Sequence, residues 1–208
     1  ILQTFLDWWR SHPRAGLLGP QVCDAQGRTE RTCRNLPTVG GMLLDATGLD
    51  RVFGAYRLLH FAHDHPRQVP QLIGACLFTS RHRFQAMAGF DERFFIYYEE
   101  VDLCKRMAEA GLEIWFLPQA RIVHAAGTSC ESESSAAAMV AQLRNSRMCY
   151  FKKHFGPGAV AAVAGINVLE ALGKAAILAG CHMITKQRRQ LEKARGFWRV
   201  ATCLGFWR

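Results

Sequence analysis

Apolar residues open the chain at the spacing of one helix face: Ile1, Leu2, Phe5, Leu6, Trp8 and Trp9. The pattern stops at Ser11-His12-Pro13, where the proline disfavours helix in the residue before it. Leu17-Leu18-Gly19-Pro20 and Gln21-Val22-Cys23 predict a strand that enters a turn at Asp24-Ala25-Gln26-Gly27. From Arg34 to Pro70 the apolar bursts are short and are punctuated by Pro37, Gly40-Gly41, Gly48 and Pro66. That stretch predicts a long excursion with one short helix. The continuous apolar run Leu72-Ile73-Gly74-Ala75-Cys76-Leu77-Phe78 predicts a buried strand. A short helix is expected from Arg81 to Ala88, stopped by Gly89, and a longer one from about Glu100 to Ala110. Val101, Leu103, Cys104, Met107 and Ala108 form the inner face of that longer helix, and Gly111 follows as its C′ residue. Glu113 to Leu117 predicts a strand ended by Pro118, and Arg121-Ile122-Val123 another short one. A second long helix is expected from about Ser134 to His154, with Gly156-Pro157 as its stop.

Strands alternating with helices make this an α/β layered fold. The composition changes beyond Gly158. Residues 159–184 are mostly Ala, Val, Leu and Ile, interrupted by Asn167, Glu170 and Lys174. Lys186, Arg188, Arg189, Lys193 and Arg195 follow, and the tetrapeptide Gly-Phe-Trp-Arg occurs twice, at 196–199 and 205–208. Charge follows the same division. Residues 1–150 carry 16 basic and 15 acidic groups, whereas residues 151–208 carry 10 basic groups against Glu170 and Glu192. A near-neutral body with a basic tail argues against a nucleic-acid-binding core and for a tail that docks electrostatically. The eight cysteines show no CxxC or other metal-knuckle spacing and sit in apolar runs. They read as reduced core thiols in a reducing compartment.

The chemistry concentrates in one stretch. Glu99, Glu100 and Asp102 place three carboxylates within four positions, behind the aromatic run Phe94-Phe95-Ile96-Tyr97-Tyr98. Such repulsion needs a cation, a helix N-terminus or a proton to relieve it. One reading makes these ordinary first-turn acids, with Asp102 and Arg106 an i,i+4 pair. The other sends one carboxylate into a cleft, where it takes a proton from a nucleophile. His124 ends the last short strand, just before Ala125-Ala126-Gly127. A lone histidine there reads as structural; beside the acidic cluster it becomes a candidate ligand. His60, His63, His65 and Asp64 form a second cluster, but the flanking prolines and the lack of further ligands at zinc-site spacing make it a solvated loop. Arg144, Arg147, Lys152 and Lys153 read as a solvated helix face, with one arginine a candidate for a diphosphate.

Gly74-Ala75-Cys76, Gly89-Phe90-Asp91-Glu92, Phe94 through Leu103, Gly111, Pro118 and His124 come in an order that resembles the C-terminal half of glycosyltransferase family 2. The branch most similar is the rhamnosyltransferase-like enzymes of bacterial surface polysaccharides, and the resemblance covers roughly residues 1–156. It implies a partial GT-A, Rossmann-like mixed sheet with flanking helices, here followed by a C-terminal helical basic tail at 157–208. It also implies an inverting transfer from a nucleotide-diphosphate sugar to a glycan or polyprenyl-linked glycan. By position, Glu100 matches the catalytic base, with Glu99 its neighbour in the acidic pair. Asp102 would brace the helix start or bind the acceptor, and Gly74 and Ala75 would let backbone approach the substrates. His124 matches the histidine that helps hold Mg²⁺ or Mn²⁺ on the diphosphate.

The family's nucleotide-binding half and its Asp-x-Asp metal motif are not in the sequence. The chain therefore reads as the acceptor and base half, expected not to turn over sugar nucleotide alone. The tail is long enough to span a bilayer, but Asn167, Glu170 and Lys174 near its middle favour a helix lying in the interface. The following basic residues would meet anionic headgroups, with Trp198 and Trp207 at the boundary. The expected location is cytoplasmic, peripheral on the inner face of a bacterial plasma membrane. The alternative function is a non-catalytic module that binds the membrane surface.

Overall fold

A computed structural model describes residues 1–124, 133–185 and 195–198. Cys130, Cys203, Trp207, the segment just after His124 and the basic positions 186–193 lie outside them. The chain is a mixed α/β fold in which a three-stranded sheet is flanked by helices, a partial Rossmann-like arrangement closed by a long C-terminal helix. In order, the elements are α1 (Leu2–Ser11), β1 (Ala15–Cys23), α2 (Val39–Thr47), α3 (Asp50–Phe53), β2 (Arg67–Gln68), α4 (Arg81–Ala86), α5 (Glu99–Glu109), β3 (Glu113–Val123), α6 (Glu133–His154) and α7 (Pro157–Thr185). The strand order is β1-β3-β2, with β1 parallel to the central β3 and the short β2 antiparallel to it.

The two long strands are buried for different reasons on their two faces. Leu17, Ile114 and Phe116 point to one side, where they meet Leu103, Cys104 and Met107 of α5. Leu18, Leu117 and Ala120 belong to a cluster on which Phe5, Trp8 and Trp9 of α1 pack. Gly16 is required where α5 turns into β3: a β-carbon there would lie 2.7 Å from Leu112 Cβ. A third cluster joins α2, α5, α6 and α7 through Met42, Tyr98, Val101, Tyr150, Phe151, Val163 and Ile166. The first half of α7 is thus packed on the body, while Leu169, Ile177, Met183 and Ile184 stand exposed.

Three expectations are corrected. Residues 72–78 are not a strand: they form a turn at Gly74–Ala75 between two isolated bridges, Gln71 with Arg34 and Phe78 with Leu18. Pro70 has no N–H to give a ladder, and Leu72 alone of the run plugs deeply into the core. Pro118 does not end its strand either. β3 runs on through it, and the register jumps from Leu117↔Pro20 to Arg121↔Gln21, so the residues between bulge out of the ladder. The excursion from Arg34 to Pro70 holds two helices rather than one, because Gly48 takes the left-handed conformation that closes α2 and Thr38 caps its start.

Candidate functional site

α5 begins abruptly. Tyr97 and Tyr98 both have positive φ, 67° and 70°, before the first helical residue, Glu99. A left-handed tyrosine is strained by about 1–2 kcal/mol, so two in succession persist only where surrounding packing holds them. Here Tyr98 is anchored in the third cluster, with its hydroxyl 3.8 Å from Met42 Sδ. The result is a fixed entry angle that presents the three acids on different sides of the first turn.

Asp102 turns inward. It is fully buried, and its oxygens meet Arg106 Nε at 2.7 Å, Lys153 Nζ at 2.6 Å and His154 Nε2 at 2.7 Å. Burial works to raise its pKa, but these partners outweigh it and hold the carboxyl below its ordinary value. Arg106 also donates to the Met87 and Gly89 carbonyls, and Lys153 reaches Asp91 at 2.7 Å. This geometry ties α5 to α6 and to the loop before it.

Glu100 is different. It is half-buried, and its Oε2 is shielded from solvent with no hydrogen-bond partner among the described residues. Burial first, and the charge of Glu99 second, push its carboxyl up from an ordinary 4.5 to about 7, against the opposing pull of the backbone N–H groups at the helix start and of Arg34. Glu99 carries a shielded Oε2 of its own with no partner among the described residues. The Gly74–Ala75 turn lies against Glu100: a β-carbon at Gly74 would sit 3.8 Å from Glu100 Cβ and Cγ, so alanine would fit but a larger side chain would begin to cover the carboxylate. Gly74 itself is exposed and Ala75 half-buried.

The connection from α5 to β3 is short and turns at Gly111, whose φ is 75°. The start of α5 therefore lies toward the carboxyl ends of the parallel strands β1 and β3, the edge where open α/β sheets bind ligands. His124 is at that edge, exposed, with its backbone N–H bonded to the Cys23 carbonyl at 3.0 Å. Among the described residues no group of three His, Cys, Asp or Glu side chains could hold a metal ion. The described residues do not by themselves form a cation site, and no chemical step is built on one.

Two clusters read as solvated from sequence are not. His63 is 1% exposed; its Nε2 takes the Cys33 N–H at 3.2 Å and its Nδ1 faces the Phe61 carbonyl at 2.9 Å. Burial lowers its pKa, so it is a neutral core histidine, while His65 pairs with Asp64 at the surface. Arg144 and Arg147 are also buried, because α7 covers the face of α6 that carries them. Burial likewise pushes the Cys33 and Cys104 thiols up to about 12, which removes them as nucleophiles. Sequence reasoning missed the left-handed pair before α5 and the buried arginines; nothing in residue type or spacing marks either.

No protein-family profile matches the chain. It is similar to the N-acetylglucosaminyl-diphospho-decaprenol L-rhamnosyltransferase of Mycobacterium tuberculosis, from strains CDC 1551 / Oshkosh and ATCC 25618 / H37Rv alike. Each is 34% identical over 133 residues, covering 59% of this chain and 41% of the relative. The chain thus spans well under half the length of the curated relatives it matches.

Proposed function

We propose that the chain carries the acceptor and base side of an inverting glycosyltransferase of family 2, acting on a lipid-linked glycan. The observation that carries this reading is the Glu100 carboxylate: mounted at a helix start, lifted to about 7, and left with an oxygen that no described residue hydrogen-bonds. A base with its pKa near the working pH accepts a proton without being permanently charged. Glu100 would take the proton of the acceptor hydroxyl as that oxygen attacks the anomeric carbon. The diphosphate leaves from the opposite face, so the configuration inverts. Glu99 would maintain the raised affinity for the proton, and the Gly74–Ala75 turn would leave room for the sugar above it.

The name of the mycobacterial relatives supports a rhamnose-like donor sugar and a polyprenyl-diphosphate acceptor. Mg²⁺ or Mn²⁺ enters this proposal with the nucleotide-sugar donor, and His124 is the ligand the chain would offer it. The acceptor's lipid supports attachment to the inner face of a bacterial plasma membrane, and so does α7. That helix is long and apolar enough to cross a bilayer, and less than a third of its most apolar window is covered by protein. With Glu170 and Lys174 paired to each other along it, an interfacial position suits it better than a span.

The test is a chimaera in which this chain replaces the matching stretch of the mycobacterial enzyme. Transfer of labelled sugar from a panel of nucleotide sugars to polyprenyl-diphosphate N-acetylglucosamine is expected. A folded chimaera that binds vesicles but transfers no sugar would instead establish the second reading, a membrane-surface binding module, for which the exposed Leu169, Ile177, Met183 and Ile184 speak.

A further inference from the structure

Between α6 and α7 the fold gathers buried hydrogen-bond donors that meet no acceptor among the described residues. Arg144 is 6% exposed and Arg147 9%. Arg147 donates from Nη1 to Asn167 Oδ1 at 2.8 Å and reaches Glu170 at 3.5 Å. Glu170 is already held by Lys174 at 2.5 Å. Arg144 Nη2, Arg147 Nε and Asn167 Nδ2 are shielded from solvent with no hydrogen-bond partner among the described residues. The charges are as one-sided as the donors. Among the described residues the buried Arg144 and Arg147 face one carboxylate, Glu170, which the exposed Lys174 also pairs, and the Tyr98 hydroxyl that Arg147 meets is neutral, its pKa driven up by burial. A guanidinium cannot shed its charge to escape burial as a lysine can. Two buried guanidinium groups against one half-buried carboxylate leave an excess of positive charge beside three donors with no described acceptor, a setting that an anion complements.

We propose that Arg144, Arg147 and Asn167 form a binding site for a phosphate or diphosphate group. The fixed fork of an arginine matches two oxygens of one phosphate at once, and the anion's charge offsets the buried positive excess. The site sits near the middle of α7, whose exposed side carries Leu169 and, one and two turns on, Gly173 and Ile177. A prenyl chain leaving the diphosphate finds apolar surface there; a nucleoside does not use it. The link to a lipid-linked acceptor rests on the transferase reading above, whereas the anion site itself does not.

The probe is inorganic pyrophosphate, read by thermal unfolding of the full chain at fixed ionic strength against sodium chloride. At about 100 times its dissociation constant, pyrophosphate is expected to raise the midpoint by roughly 5 °C or more. Arg144→Met is expected to abolish that rise while leaving the ligand-free midpoint equal or higher, because it removes a buried charge with no partner. No rise in the unaltered chain, as ordered water in place of an anion would give, overturns the proposal. So does a full rise in the variant. If Arg144→Met does not fold, Arg144→Lys keeps the charge without the fork and is expected to bind pyrophosphate at least about tenfold more weakly; undiminished binding overturns the site. Farnesyl diphosphate is expected to bind about tenfold more tightly than pyrophosphate through its buried methylenes. Equal binding, or tighter binding of a nucleoside diphosphate, overturns the lipid assignment. None of these readouts depends on sugar transfer, so the site and the transferase reading can fail separately.

Discussion

Two carboxylates on one helical turn, Glu100 and Asp102, have opposite fates, and the difference is in who meets them. Asp102 finds Arg106, Lys153 and the His154 imidazole inside the protein; Glu100 finds a turn of backbone, another glutamate and the weaker pull of Arg34. The pH consequences have opposite signs. Asp102 binds its proton less readily in the folded state than unfolded, so its stabilisation is present above the ordinary carboxylate range and fades as pH falls through its depressed pKa. Asp102→Asn leaves Arg106, Lys153 and His154 facing a neutral group, and is expected to lower unfolding free energy by about 3–5 kcal/mol at pH 7 in denaturant titrations. Glu100 binds its proton more readily when folded. Its contribution is fully favourable below 4.5 and is lost as pH rises through about 7. Glu100→Gln is therefore expected to stabilise the chain at pH 8, by on the order of 1–3 kcal/mol, and to change little at pH 4.5. Chemical denaturation of both proteins at the two pH values measures this directly.

Element by element, what was legible in the sequence is what local rules decide. α1, α4, α5 and α6 fall within a residue or a few of their expected bounds, because apolar spacing and a stop such as Pro13 or Gly111 are local signals. The run from Leu72 to Phe78 was misread because apolar composition reports burial, not conformation, and Leu72 and Leu77 pack just as well from a loop. Pro118 was misread because a bulge lets a strand continue past a missing N–H. For the site, residue type and order located the acidic turn but could not say which acid turns inward. That depends on Lys153 and His154, fifty residues away, and on the left-handed Tyr97 and Tyr98. The entry itself can be tested. Tyr97→Gly relieves a strained φ but frees the acidic turn, so it is expected to change stability by no more than about 1 kcal/mol while broadening the order of the first turn of α5, seen as faster amide exchange at Glu99 and Glu100.

At the scale of the molecule, a near-neutral α/β body carries a basic, apolar tail whose first half is part of the core. This predicts that truncation after residue 156 does not simply release a tail but exposes Met42, Tyr98 and Tyr150, and that the shortened chain loses cooperative unfolding. It also predicts that binding to vesicles containing anionic lipid weakens steeply with salt and falls when Ile177 and Ile184 are replaced by serine. The central claim, that Glu100 takes the acceptor's proton, is tested most directly by steady-state kinetics of Glu100→Gln and Glu99→Gln in the chimaera with the mycobacterial enzyme. The account predicts that Glu100→Gln lowers kcat by about 10²–10⁴ with the donor KM little changed, and removes an acidic limb near pH 7 from the kcat profile of the unaltered chimaera. Turnover within a few-fold of the unaltered chimaera in Glu100→Gln, or the full loss appearing in Glu99→Gln instead, would contradict it.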